Sequence, residues 1–486
     1  KKMSILSTPT FGLTPSSEQV PLSTNYITNF NFLTQYLPDT YEKEFERYGN
    51  RTVSSFLRMV GAEMPSNSDM IKWAEQGRLH TKYTNCVATA AAAATQSVFT
   101  ITTPSTGAGV IQAGNQIAIR LGQTVMIYDN ATGLSNKGIV IVAPAGTNPT
   151  FTITVAYYEQ GGQAFAASST CSIWVYGSEF KKGTNGMTGS LEAEDTIFSN
   201  SPIIIKDKYA VNGSDMAQIG WVEVTTENGA SGYLWYLKSE HETRLRFEDY
   251  LETAMVEAVP AGAASGVALQ TTYTSAGNKG SEGVFYVVND RGNVWGGGNP
   301  TTLSDWDTVI SRLDKQGAIE ENVLFVNRDF GFDIDDMLAA QNSYGAGGTS
   351  YGLFDNDKDM ALNLGFTGFR RGYDFYKTDW KYLNDPTMRG SMPTGATASG
   401  NITGLLVPAG STNVYDQVMG KNAKRPFLHV RYRASEAEDR KYKTWITGSA
   451  GGAQNSDLDA MEVNFLSERA VCTLGANNFV LFRYGA

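Results

Sequence analysis

One stretch constrains this chain more than any other: Ser239 to Val259 is written for a single long amphipathic helix. Ser239 and Glu242 have the S-x-x-E spacing of a capping box, in which two side chains satisfy free N–H groups at a helix start. Phe247, Tyr250, Leu251, Ala254, Met255 and Ala258 then fall on one stripe of a 3.6-residue period. Arg244, Arg246, Glu248, Asp249, Glu252 and Glu257 fill most of the other face, and Pro260 and Gly262 stop the helix. Burying each large apolar residue of the stripe contributes about 1.5–3 kcal/mol. The helix must therefore lie on another layer of the molecule, and the candidates are the β-prone segments on either side.

Composition favours β structure. Of 486 residues only 18% are charged, and 50 are glycine, which suits many turns and extended segments. The length holds a large core and two or three substructures. A formal net charge of −10 argues against a dedicated nucleic-acid binder, which needs a basic face. Cys86, Cys171 and Cys472 are isolated, with no metal-ligand or redox spacing, so a reducing compartment is expected. No apolar run approaches a membrane span, and Pro9 interrupts the N-terminus before a signal-type apolar region forms. The chain starts at Lys1, so either residues precede it or proteolysis made this end.

Five regions are expected along the chain. Residues 1–84 read as a polar arm with the apolar anchors Tyr26, Phe30 and Phe32, followed by short helices, one of them capped by Ser66 and Asp69 and running through Ile71 and Trp73. Residues 85–176 carry short β runs at regular spacing, including Gln116–Leu121, and read as an inserted β-barrel or sandwich. Residues 177–232 read as an outward two-stranded hairpin: Ile203–Val211, a turn at Asn212–Asp215, then a strand with Ile219, Trp221, Val222 and Val224. Residues 233–300 hold the long helix and a strand at Val284–Val288. Residues 301–486 hold a helix capped by Ser304 with Trp306, Val309, Ile310 and Leu313 on one stripe, a strand at Val323–Val326, a helix starting at Asp333, aromatic strand-like residues Phe366–Leu383, a strand at Phe427–Tyr432, and a closing strand–turn–strand from Val463 to Phe482 around Gly475.

This order resembles the HK97-fold major capsid proteins of tailed bacteriophages, and its flavour is similar to crAss-like phages. Trp174–Gly183 looks like the start of the extended E-loop, Ser239–Val259 like the spine helix of the P domain, Trp306–Leu313 with Val323–Asn327 like a helix–strand unit of the A domain, and Phe465–Val471 with Gly475 like the closing strands. The resemblance implies an α+β, HK97-like capsid fold made of N-arm, E-loop, spine helix, P and A domains, with the all-β domain inserted. It implies a subunit that self-assembles into hexamers and pentamers of an icosahedral head enclosing double-stranded DNA, without sequence-specific binding, a membrane or a cofactor. The implied location is the virion, after assembly in the host bacterial cytoplasm. Portal, scaffold, maturation protease and decoration proteins are the partners that the likeness implies. The residues expected at subunit contacts are Tyr26, Phe30, Phe32, Glu179, Lys181, Lys182, Lys206, Lys208, Trp221, Arg244 and Arg246. Some relatives cross-link a hairpin lysine to an asparagine of a neighbour. Lys181, Lys182, Lys206 and Lys208 lie in the right region, but no partner asparagine is marked.

Catalysis finds little support in the residues. His80, His241 and His429 have no spacing for a metal cluster, and no phosphate-loop motif occurs. Gly348–Gly352 matches G-x-S-x-G around Ser350, but a polar, Gly-rich loop precedes it where a nucleophile elbow needs a buried strand. Asp355, Asp357 and Asp359 open like a calcium loop, yet Met360 and Phe366 replace its glycine and glutamate. Asp333, Asp335 and Asp336 read as charges at a helix N-terminus. The alternative to the capsid reading is a β-rich surface adhesin or carbohydrate-binding protein, in which Tyr157, Tyr158, Trp174 and Tyr176 form a sugar platform. A hydrolase using Ser350 is a third and weaker alternative.

Overall fold

The structure is a computed structural model. It describes residues 63–77, 79–89, 95–102, 117–147, 150–159, 165–189, 191, 195–217, 224–225, 231–232, 235–262, 265–267, 278–317, 319–342, 367–391, 400–416, 421–452 and 454–485. The arm with Tyr26, Phe30 and Phe32, Trp221, the Ser350 loop and the Asp355–Asp359 segment lie outside the described residues.

In chain order the strands are β1 (Glu63–Ser66), β2 (Ile71–Gln76), β3 (Lys82–Thr89), β4 (Gln96–Thr102), β5 (Gln123–Asp129), β6 (Ser135–Thr147), β7 (Thr150–Tyr157), β8 (Thr170–Ser178), β9 (Asp195–Asn200), β10 (Ile203–Asn212), β11 (Val224–Thr225) and β12 (Ser231–Gly232). They continue with β13 (Asn293–Trp295), β14 (Glu321–Val326), β15 (Gly368–Arg371), β16 (Tyr373–Asp379), β17 (Ile402–Pro408), β18 (Ser411–Asp416), β19 (Lys421–Pro426), β20 (Leu428–Arg433), β21 (Lys443–Gly448), β22 (Ala460–Thr473) and β23 (Val480–Arg483). The helices are α1 (Gly213–Met216), α2 (Trp235–Glu257), α3 (Val284–Arg291), α4 (Leu303–Gln316), α5 (Arg328–Asn342) and α6 (Lys381–Asn384). Strand outweighs helix, so the α+β expectation holds only in that helices pack on mixed sheets. The chain divides into two compact units, one of residues 1–67, 203–471 and 480–486, the other of 68–202 and 472–479.

Among the described residues the first unit holds two larger sheets, besides the two-stranded pairs β11–β12 and β18–β19. In one, the strand order is β1-β20-β22-β10, with β21 also on β22. Helix α2 lies on this sheet. Phe247 is fully buried, stacks on Phe465 at 5.6 Å and meets Tyr442 edge-on at 5.5 Å, while Leu251, Val211, Met461 and Val463 complete the cluster. The expected stripe is thus correct at Phe247, Leu251 and Met255, but Tyr250 points to solvent and Val256 is buried in its place. The helix also begins four residues ahead of Ser239, which therefore lies inside it, its main-chain carbonyl accepting from Thr243 Oγ1 at 2.8 Å.

The other sheet has the order β13-β23-β17-β14-β16-β15. β17 is buried along its whole length, which suits a strand covered on both faces. Trp306 of α4 is its aromatic hub, fully buried and within 4.9–5.9 Å, centroid to centroid, of Phe369, Phe375 and Phe482. Three expectations shift here. The cap of α4 is Thr302, in a complete capping box with Asp305, so Ser304 is a helical residue. α5 starts at Arg328, where Asn327 Oδ1 accepts from Phe330 N–H at 2.8 Å. Asp333 and Asp335 are therefore mid-helix, beyond the reach of the terminal dipole, and are held by Asn299 at 2.7 Å and Lys377 at 2.5 Å. Val284–Val288 is a helix, not a strand: Val284, Phe285, Val287 and Val288 are all buried, and a short apolar run does not by itself separate buried helix from buried strand.

The second unit is a closed barrel, β3-β4-β7-β6-β5-β8, approached through a two-stranded ladder of β2 and β9. Phe99, Ile101, Ile127, Ile153, Val155 and Phe165 fill the barrel, and Cys86 sits opposite Cys171 as two free thiols within it. Ile117 and Ile119 are buried in that core without being a strand, contrary to expectation for Gln116–Leu121. Ile71–Gln76 is likewise a strand, not the helix that Ser66 and Asp69 were expected to cap. It pairs with β9 from Ile71↔Asn200 to Gln76↔Asp195, and Trp73 meets Phe198 at 6.3 Å.

His429 of β20 supplies a pH-sensitive point in the first unit. Only 3% exposed, it contacts the Pro426 carbonyl through Nδ1 at 3.1 Å. Burial pushes its pKa down to about 4, a shift opposed by the Pro426 contact and reinforced by Arg431 and Arg425. The neutral ring therefore donates Nδ1–H to Pro426. The unfolded chain, with a histidine near 6.5, binds more protons between those values, so stability falls as pH drops from 6.5 towards 4 and levels off below. At about 1.36 kcal/mol per pH unit the loss by pH 5 is about 2 kcal/mol. Urea unfolding at pH 7.5 and 5.0 is expected to show this loss, and His429→Asn to reduce it. An equal loss in both proteins would remove His429 as its source.

Candidate assembly interface

The geometry of β10 is central. Its residues alternate strictly, as a strand at a sheet surface requires. Ile205, Asp207, Tyr209 and Val211 turn towards α2, and Ile204, Lys206, Lys208 and Ala210 turn to solvent. β10 pairs over its full length with β22, from Ile203↔Arg469 to Asn212↔Ala460. This corrects the expected outward hairpin. The partner of Ile203–Val211 is a C-terminal strand, the Asn212–Asp215 turn is the helical turn α1, and β11 pairs with β12; residues 218–223 lie outside the described residues.

Among the described residues β10 is an edge strand, and the face it turns away from α2 runs on across β22, where Leu466 is buried, to β21. Register places Lys206, Leu466 and Lys443 in one row and Lys208, Asn464 and Trp445 in the next. Ile204 is 52% exposed, Trp445 is also exposed, and a shallow concavity lies between Lys206, Lys208, Asn464 and Trp445. Lys208 Nζ reaches Glu462 at 2.9 Å, and this hydrogen bond holds the Glu462 carboxyl below its ordinary range.

On the other face, Arg246 of α2 grips Asp207 through Nε at 3.1 Å and Nη2 at 3.0 Å, tying helix to edge strand. The pair is partly solvated, so Asp207→Asn is expected to cost about 0.2–1 kcal/mol, read as a small shift in urea midpoint. A loss above about 2 kcal/mol would contradict a surface pair. Arg244 instead contacts His241 Nδ1 at 2.8 Å.

In the second unit, the β2–β9 ladder presents a fully exposed face of Lys72, Ala74, Ile197 and Ser199, with Ile197 67% exposed. The opposite face holds Trp73, Phe198 and Glu75, whose Oε1 accepts from Trp73 Nε1 and the Gly475 N–H, both at 2.9 Å. Lys181 and Lys182 are exposed in the irregular segment after β8, and Glu179 accepts the Tyr158 hydroxyl at 2.5 Å.

The expected contact residues therefore divide. Lys206, Lys208 and Arg246 gather around β10; Glu179, Lys181 and Lys182 belong to the other unit; Arg244 makes a contact within α2; Trp221 and the arm residues are outside the described set. Ile197, Ile204, Trp445 and Lys443 stand on the same two surfaces and were not among the expected residues. The alternation in Ile203–Ala210 was legible, but which face is covered depends on α2 and β22, far away in sequence. Among the described residues no group of three or more His, Cys, Asp or Glu is placed to hold a metal ion, and no helix is long and apolar enough to cross a membrane.

No family model and no curated protein matches the sequence. Solved structures do match along nearly its full length. The chain is similar to one titled Microbacterium phage Oxtober96, at 9% identity, covering 93% of this chain and 97% of that chain, with a TM-score of 0.38. It is similar to one titled Gordonia phage Cozz, at 9% identity, covering 98% and 100%, with a TM-score of 0.38. It is also similar to the capsid of a native GTA particle, at 8% identity, covering 93% and 96%, with a TM-score of 0.36. Superpositions this loose carry no argument, and the functional reading rests on the chain's own geometry.

Proposed function

We propose that this chain is the major capsid subunit of a tailed bacteriophage, forming hexamers and pentamers of an icosahedral head around double-stranded DNA. The observation that carries the proposal is the pair of exposed β surfaces, the edge strand β10 with Ile204 and the β2–β9 ribbon with Ile197. An edge strand offers unpaired backbone groups to another chain, and a two-stranded ribbon is marginal in water alone. Repeated contact between copies removes both costs, and closing many modest contacts into a shell multiplies their effect.

In this reading α2 is the spine helix of a P domain, the six-stranded sheet belongs to the A domain, and the β2–β9 ribbon takes the part expected of the 177–232 hairpin. The barrel is then an insertion carried at the end of an E-loop. Residues 8–37 serve as the arm that crosses a neighbour, with Tyr26, Phe30 and Phe32 as anchors. An acidic chain suits an inner wall that encloses DNA without gripping it. Portal, scaffold, maturation protease and decoration proteins are the partners this role calls for, and the place of action is the virion head. Deleting residues 8–37 is expected to leave a folded subunit that forms no closed shells, as seen by negative-stain microscopy. Normal shells from this deletion would remove the arm from the proposal.

A further inference from the structure

The outer wall of the barrel carries a concavity beside β8. Cross-strand register sets Trp174 opposite Met126 and Met126 opposite Lys137, while Gly177 lies opposite Thr124. Tyr158 N–H donates to the Lys137 carbonyl at 3.1 Å, which brings the Tyr158 ring beside the same row. The result is an open, shallow depression of about 600 Å³, lined by Tyr158, Tyr176, Thr124, Lys137, Glu159 and Glu179. Its floor is open because residue 177 is glycine: a Cβ there would stand 3.1 Å from Thr124 Oγ1.

Three aromatic side chains stay half exposed around it, Tyr158 at 48%, Tyr176 at 43% and Trp174 at 42%. Trp174 and Tyr176 are 6.2 Å apart, centroid to centroid, and tilted by 50°. The Tyr158 hydroxyl is anchored on Glu179 at 2.5 Å, and partial burial together with that carboxylate pushes its pKa up to about 12, so it remains a protonated donor. Tyr157, expected in the same platform, turns inward and packs on Phe165 at 6.3 Å. Flat π faces attract the C–H face of a ring, and a carboxylate, an ammonium and a hydroxyl stand around them to meet hydroxyl groups. Two carboxylates against one ammonium at the cavity disfavour phosphate and sulfate groups.

We infer that this cavity, with Tyr158 and Tyr176 as stacking platforms and Glu179 and Lys137 as hydrogen-bonding groups, binds a neutral glycan on the outer wall of the barrel. Glycan retention can be read on unassembled chains, so its failure is distinguishable from failure of the capsid proposal. The test is an array of immobilised neutral hexose and N-acetylhexosamine oligosaccharides, probed with the fluorescently labelled full chain. A subset of these glycans is expected to be retained, and the free oligosaccharide to compete. Tyr176→Ala and Tyr158→Ala each reduce retention at least tenfold, while Tyr376→Ala, which removes an equally exposed tyrosine from the six-stranded sheet, leaves it unchanged. All four proteins should give the same far-ultraviolet circular dichroism, because each change is at the surface. Retention of no glycan, equal retention by Tyr176→Ala, or a change only in oligomeric state for the cavity variants would each overturn the assignment; the last would make the patch a contact between copies.

Discussion

Replacing Phe247 by alanine is expected to destabilise the first unit by about 3–5 kcal/mol and to abolish assembly with it. The ring is fully buried between Phe465 of β22 and Tyr442, and it is the point where α2 meets the sheet. Removing it leaves a cavity bounded by strand residues whose backbones are fixed by the β10–β22 ladder, so the site cannot collapse to fill the space. Stability here also controls the proposed interface. The helix-facing half of β10, through Tyr209 and Val211, is held by the same cluster, and the solvent-facing half with Ile204 keeps its shape only while that cluster is intact. Urea unfolding measures the first effect and particle yield the second. Phe247→Leu keeps most of the volume and should recover both in large part. A loss below about 1 kcal/mol for Phe247→Ala would show that α2 is not fixed to the sheet as described.

The second large effect separates folding from assembly. Ile204→Lys is expected to leave the subunit folded, with an unfolding midpoint close to that of the parent, and to abolish closed particles. Ile204 is exposed and lies in register with Glu468, so a lysine there gains an opposite charge across the ladder. The same ammonium on an edge strand opposes pairing with another chain. Ile197→Lys on the β2–β9 ribbon is expected to act in the same way, since Ile197 sits on the ladder's exposed face opposite Ala74. Size-exclusion chromatography with light scattering checks both. Normal particles from both variants would remove β10 and the ribbon from the interface.

The residues differ in how openly they declared this architecture. Phe247, Leu251 and Met255 were legible because a helix repeats its buried face every 3.6 residues, so neighbours in sequence report the same environment. Trp306, Val309 and Leu313 were legible for the same reason. The barrel was visible as a succession of short β runs. Its ribbon was not, because β2 and β9 are separated by the whole barrel and neither carries a hairpin turn. β10 misled most, since Asn212–Asp215 reads as a hairpin turn while the true partner, β22, lies some 250 residues on. Such long-range pairing depends on side-chain fit across the sheet and leaves no local mark. The helix boundaries at Trp235, Leu303 and Arg328 lay one to five residues ahead of Ser239, Ser304 and Asp333, which are equally at home within a first or second turn. The cavity on the barrel was half legible: Tyr158, Trp174 and Tyr176 were singled out as a platform, whereas Glu179 and Lys137 are brought there only by barrel closure.

Mass photometry of the purified full chain, with electron microscopy of the same sample, tests the central claim most directly. The account predicts particles far heavier than one 52.8 kDa chain, seen as rings, sheets, tubes or closed shells, and their disappearance in Ile204→Lys. A chain that remains a monomer at micromolar concentration, both alone and co-expressed with the proposed scaffold protein, would contradict it.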